Sequence, residues 1–169
     1  MDLLQIVMRV LHVGLGVFWG GTVFFNVLFL APAIRDAGPD GAKVGAALVK
    51  RGMLNAMPIA AIVTILSGLY LLFRASAGQP QYMGSSVGMT YSTGATAAIL
   101  AFLIGMLFFR PAMAKLAALG PQVAAAPPGE REALGAQLQA IRTRANRLNA
   151  IVTTLVGIAV LTMAVGRYV

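Results

Sequence analysis

Long apolar runs alternate with short basic interruptions along the chain, and this alternation predicts its elements. A helix needs about 20 apolar residues to cross the hydrocarbon core of a bilayer. Four stretches reach that length, at roughly 3–34, 53–73, 91–109 and 148–166. Arg35-Asp36 stops the first, Arg74 the second and Arg110-Pro111 the third, while Arg167-Tyr168 closes the fourth. The opening Met1-Asp2 lacks the basic n-region of a secretory signal, and the apolar run behind it is too long for one, so the first stretch reads as a retained helix. The expected fold is all-α: one integral membrane domain over residues 1–169, arranged as a four-helix transmembrane bundle.

The connections carry their own signals. In 35–52, Asp40 can cap a short amphipathic helix running through Val44 and Leu48. Segment 74–90, with Gly78, Pro80, Gly84, Ser85, Ser86 and Gly88, is expected to lack regular structure. Pro121 to Gly129 reads as a break, after which Glu130 and Glu132 suit the first turn of a new helix. Nothing from Glu130 to Gly166 stops that helix, so the fourth span is expected to extend well beyond the membrane.

Basic residues orient the bundle. Arg35, Lys43, Lys50 and Arg51 lie in 35–52, and Arg110, Lys115, Arg131, Arg142, Arg144 and Arg147 in 110–147; 74–90 holds only Arg74. Loops 35–52 and 110–147 are therefore expected in the cytoplasm and 74–90 outside, giving an N-out, C-out protein in a bacterial inner membrane.

Composition narrows the chemistry. The chain is 59% hydrophobic and 11% charged, against about 45–50% and 25% in soluble domains. That excludes a soluble enzyme or a secreted disulfide scaffold. The net charge of +8 does not indicate nucleic acid, because the basic residues flank apolar runs where anionic headgroups lie. With no cysteine, thiol catalysis, Cys-ligated zinc and iron–sulfur clusters are excluded. One histidine excludes a two-histidine haem within one chain. No Asp or Glu falls inside a span, which argues against proton-coupled or cation transport. There is no Ser/His/Asp set and no phosphate-binding glycine loop, so the balance is against an enzyme.

The candidate chemistry lies on the first helix. At 100° per residue, Arg9, His12, Gly16, Trp19, Gly20 and Asn26 share one arc, opposite Val10, Val17, Phe18, Phe24, Phe25 and Leu28. Polar groups in hydrocarbon face protein or a cavity, so the His12 arc is expected inward. Gly16 and Gly20 form a small-xxx-small pair that admits a close helix or a flat ligand. On the ligand reading, His12 is an axial ligand or hydrogen-bond partner of a haem, other tetrapyrrole or quinone. Arg9 faces either this arc or the headgroups.

Sorted by depth, Arg9, His12, Ser67, Tyr70, Tyr91, Thr93 and Thr162 form an outer polar layer, and Asn26, Asn55, Asn146 and Asn149 an inner one. The outer layer is the candidate pocket, with Tyr70 and Tyr91 as further cofactor-binding residues. The inner asparagines, with Thr153, are expected to hydrogen-bond between helices. Pro58 is expected to kink the second helix.

Leu11-His12 followed by Trp19, Gly20 and Gly21 resembles the Leu-His…Trp-x-Gly-Gly signature of small bacterial proteins related to copper-resistance protein D. Gly68-Leu69-Tyr70, Arg110-Pro111-x-x-x-Lys115-Leu116 and Arg147-Leu148-Asn149 are similar in the same way. The pattern is also similar, more distantly, to the HemJ-type protoporphyrinogen oxidases, which rely on a first-helix histidine and a lysine in a later helix. Only His12 matches here, since no lysine lies within a span. The resemblance implies a four-helix membrane protein handling copper or a tetrapyrrole.

Three functional expectations follow. The first is a non-catalytic accessory or scaffold subunit, packing in the lipid bilayer with itself or other membrane subunits and requiring no cofactor. The second is a binder of haem, porphyrin or quinone through His12. The third is copper or small-solute handling, with His12 as the metal ligand.

Overall fold

The computed structural model describes residues 2–169, apart from the side chains of Pro39 and Ala42; Met1 of the opening dipeptide lies outside the described residues. Every element is helical. Four helices are long and apolar enough to cross a membrane: α1 (Leu3–Asp36), α3 (Met53–Ser76), α5 (Ser86–Ala125) and α6 (Pro128–Tyr168). Two shorter ones, α2 (Gly38–Lys50) and α4 (Pro80–Met83), fill the connections. The chain is a membrane protein of transmembrane helices.

Contacts run in a ring. α5 lies along α6 and α1 along α3, with lighter α3–α5 and α1–α6 contacts closing the circle. Small side chains form its centre: Ala60, Ala61, Ala101, Val152 and Val156 are buried with Trp19. The large apolar side chains point outward, with Val17 71% and Leu161 66% exposed. Lipid solvates such residues as well as a protein core would, so helix association rests on close van der Waals approach between small residues. Phe24 departs from the outward arc expected of it: its ring reaches 3.6 Å from where a Cβ on Gly157 of α6 would stand.

The helices outrun the predicted spans. At 1.5 Å per residue, the 40 residues of α5 extend about 60 Å, twice the hydrocarbon thickness. Its distal part packs against the first half of α6 as a helical hairpin. Arg110-Pro111 therefore does not end the third helix, and neither does Pro121, which sits inside it; the break falls at Ala126-Pro127 instead. A proline leaves the carbonyl four residues back without its helical donor, and water satisfies that carbonyl wherever the turn is solvated.

Two helical turns are widened to π geometry, Asn26–Leu30 in α1 and Gly105–Phe109 in α5. Each ends two residues before a proline, Pro32 and Pro111 respectively. A proline ring clashes with the carbonyl four residues back. Widening the preceding turn relieves that clash and lets the helix continue.

Segment 74–90 is also more regular than expected. Pro80 opens the single turn α4, as proline suits a first helical position. Ser85 caps α5 by accepting the Gly88 amide at 3.1 Å. Asp40 is not the cap of α2, which starts at Gly38; it lies in the first turn and pairs with Lys43 at 2.6 Å.

Candidate functional site

Asp2 at the head of α1 and Arg167 near the end of α6 lie at the same end of the ring, where Asp2 pairs with Arg74 at 2.8 Å. Just inside that end the four helices part around a cavity of about 500 Å³, within the range of about 300–1,000 Å³ common for small-molecule sites. Apolar side chains such as Ile65, Leu69 and Leu72 make up much of its wall. Its polar groups come from every long helix: Arg9 and His12 from α1, Thr64 from α3, Tyr91 from α5 and Arg167 from α6.

His12 is the most constrained of these. Its Nδ1 stands 2.8 Å from the Thr64 carbonyl oxygen on α3. A carbonyl only accepts, so Nδ1 carries the proton and donates. In the neutral ring Nε2 then keeps its lone pair for a ligand, the same division of labour that orients metal-bound histidines. The ring lies against Gly68: a Cβ there would stand 2.6 Å from His12 Cε1 and 2.8 Å from Nδ1. Only glycine leaves room for the imidazole in this position.

Tyr91 is seated in the same manner. A Cβ on Gly166 of α6 would fall 2.9 Å from the Tyr91 Cζ. Each site ring thus occupies space left by a glycine on the neighbouring helix. Thr64 adds a further feature: it is 7% exposed, and its hydroxyl has no hydrogen-bond partner among the described residues. Five other threonines (Thr90, Thr93, Thr153, Thr154 and Thr162) bond back to their own backbone, as Thr153 does to the Asn149 carbonyl at 2.8 Å. A buried unpaired hydroxyl costs on the order of 1–3 kcal/mol unless a ligand or water meets it.

Of the remaining predicted cofactor-binding residues, two serve helix packing, one lines neither cavity and one lines a second cavity. Gly16 packs on α3, where its Cβ position would be 3.4 Å from Thr64 Cγ2, and Gly20 packs on α6, 3.6 Å from Val156 and Val160. Both glycines are therefore taken up by neighbouring helices. Tyr70 is half-buried and lines neither cavity. Trp19 is buried, and lines a smaller cavity of about 120 Å³ deeper in the ring together with Asn26 and Asn149.

The inner asparagines behave differently from the expected inter-helix pairing. Asn55 alone makes it, accepting from Arg110 Nη2 at 3.0 Å. Thr153 turns back on its own helix because the carbonyl four residues earlier is its nearest partner. Pro58 and Leu54 line the inner cavity too; lacking an N–H, Pro58 leaves the Leu54 carbonyl without its helical donor. Met53, Met57 and Met106 complete part of the wall.

Sequence reasoning passed over Thr64, Gly68 and Arg167 as site residues. A glycine inside an apolar helix was the available signal for Gly68, since it costs about 1 kcal/mol against alanine and so points to a close approach. Among the described residues no three His, Cys, Asp or Glu side chains gather as a metal site. No family model, curated protein or solved structure matches the chain.

Proposed function

We propose that this chain is an intramembrane binding protein for a tetrapyrrole or quinone, in which His12 Nε2 meets the ligand inside the larger cavity. The carrying observation is the bond from His12 Nδ1 to the Thr64 carbonyl, which commits the proton to one nitrogen and frees the other. The cavity's size supports the same reading. One imidazole per chain supplies one axial ligand, which suits binding or transfer, with a partner subunit or second copy completing any redox chemistry. In this reading the end with Asp2 and Arg167 faces out of a bacterial inner membrane and the basic hairpin faces the cytoplasm.

Titration of the detergent-purified protein with haemin and with a short-chain ubiquinone tests the reading. One of the two should bind stoichiometrically, and His12→Ala should weaken it at least tenfold. Saturable binding of neither would reject it.

Copper handling has one observation behind it: Met53, Met57 and Met106 line the inner cavity together, and thioethers suit Cu(I). Calorimetric titration with Cu(I) separates this reading. Stoichiometric uptake lost on replacing the three by leucine would favour it, and no uptake would remove it.

A further inference from the structure

We infer that α2 is an interfacial helix, with its Val44–Leu48 side sunk into the surrounding bilayer and Lys50 and Arg51 holding the headgroups of anionic phospholipid. Glycines set it apart from both neighbouring spans. Gly38 at φ +55° and Gly52 at φ +85° take the left-handed conformation that other residues rarely adopt, so the chain turns a corner at each end of the helix. α2 makes its principal contacts with the end of α1 and with α3, and none of its residues lines the His12 cavity. Its level along the ring axis follows from α3. At 1.5 Å per residue the apolar stretch 53–73 extends about 30 Å, the thickness of the hydrocarbon core. Met53 therefore stands at one edge of the core, with Lys50 and Arg51 at headgroup level. Arg110, which closes the apolar run of α5, donates to Asn55 at 3.0 Å, so these two spans end level.

The helix has two unlike sides. At 100° per residue, Gly41, Val44, Leu48 and Val49 share one of them, and Lys43 and Lys50 stand about 20° apart on the other. Gly41 decides which side meets the membrane. It is buried on the backbone of α1, where a Cβ would collide with the Ile34 carbonyl. The apolar side is therefore turned back toward the span that the chain has just left, and the lysines are turned away from it. Farther along, Val44 is 48% exposed. Asp40 engages Lys43, whereas Lys50 and Arg51 are exposed and make no ion pair among the described residues. Apolar side chains at the acyl boundary and cations at the phosphate level are what an amphipathic helix on an anionic bilayer requires. The ammonium and guanidinium groups can each donate to phosphate oxygens.

The chain has no cysteine, so single cysteines at 44, 47 and 48 can each carry a bimane fluorophore in the full chain, reconstituted in phosphatidylcholine nanodiscs. A minority lipid with a nitroxide high on its acyl chain, either phosphatidylcholine or phosphatidylglycerol, quenches the fluorophore on contact. Labels at 44 and 48 should be quenched, and the label at 47, on the polar side, far less. Nitroxide phosphatidylglycerol should quench at 44 at least twofold more strongly than nitroxide phosphatidylcholine, because the cations enrich it locally. Lys50→Gln with Arg51→Gln should bring the two quenchers level, as should high salt. Both residues are exposed, so an unchanged melting curve is expected for the double variant. Equal quenching at all three positions, or at none, would overturn the inference. Absent quenching with ready disulfide cross-linking through position 44 would overturn it in favour of a second copy of the chain on this face. Equal quenching by the two lipids in the parent chain would overturn the role given to Lys50 and Arg51.

Discussion

At the scale of single residues, the site depends on what glycine omits. Gly68 gives up helix propensity to admit the His12 ring, whereas Gly14 on α1 has nothing within 4 Å of its Cβ position. Alanine at 14 should therefore be neutral or stabilising by up to about 1 kcal/mol, the ordinary helix gain. Alanine at 68 should instead lower the thermal midpoint and displace His12; melting curves of the two variants, followed by circular dichroism, check this. Thr64→Val removes a hydroxyl that has no partner in the protein, so it should not lower stability. Matched melting curves of the variant and the parent check this. Gly16→Leu, on a position 3.4 Å from Thr64, should be far more damaging than Val17→Leu on a site 71% exposed. His12 and Tyr91 were legible in the sequence because helical phase and depth alone bring them together, whereas phase left Arg9 facing either the arc or the headgroups. Gly68, Thr64 and Arg167 were not, since their roles depend on the register between helices, which periodicity within one helix does not set.

At the scale of elements, proline shapes the helices without stopping them. Pro32 and Pro111 each follow a π turn, and residues from both turns, Asn26, Gly105, Met106 and Phe109, border the inner cavity. Replacing Pro111 by alanine should let Gly105–Phe109 contract to α geometry. Everything beyond would then turn by about 100°, one residue's worth of helix, and Arg110 would leave Asn55. The chain has no cysteine, so a cysteine pair placed at 55 and 110 reports this directly. A short thiol cross-linker should join the pair with Pro111 present and fail with Pro111→Ala; equal cross-linking would show that the turn does not need its proline. Four spans and the long fourth helix were readable from apolar run length and from the uninterrupted stretch after Glu130. The continuation of α5 past Arg110 was not, because a charge next to proline looks like a terminus unless the helix can widen ahead of it.

At the scale of the molecule, charge and shape run in opposite directions along the ring axis. Arg9, Arg74 and Arg167 sit at the end that holds the larger cavity, and the other basic residues lie toward the hairpin end. With the basic end in the cytoplasm, cysteine at Gln79 should react with a membrane-impermeant maleimide on intact cells. Cysteine at Gln122 should react only after lysis, and the reverse pattern would invert the orientation. The cavity would then open toward the outer face, and a ligand could reach His12 without crossing the bilayer. The most direct measurement is the absorption spectrum of the protein purified gently from its own membrane, with His12→Ala prepared in parallel. A Soret band that survives purification and is lost in His12→Ala is the predicted result. A spectrum without a Soret band, unchanged when haemin is added, would contradict a His12-centred tetrapyrrole site.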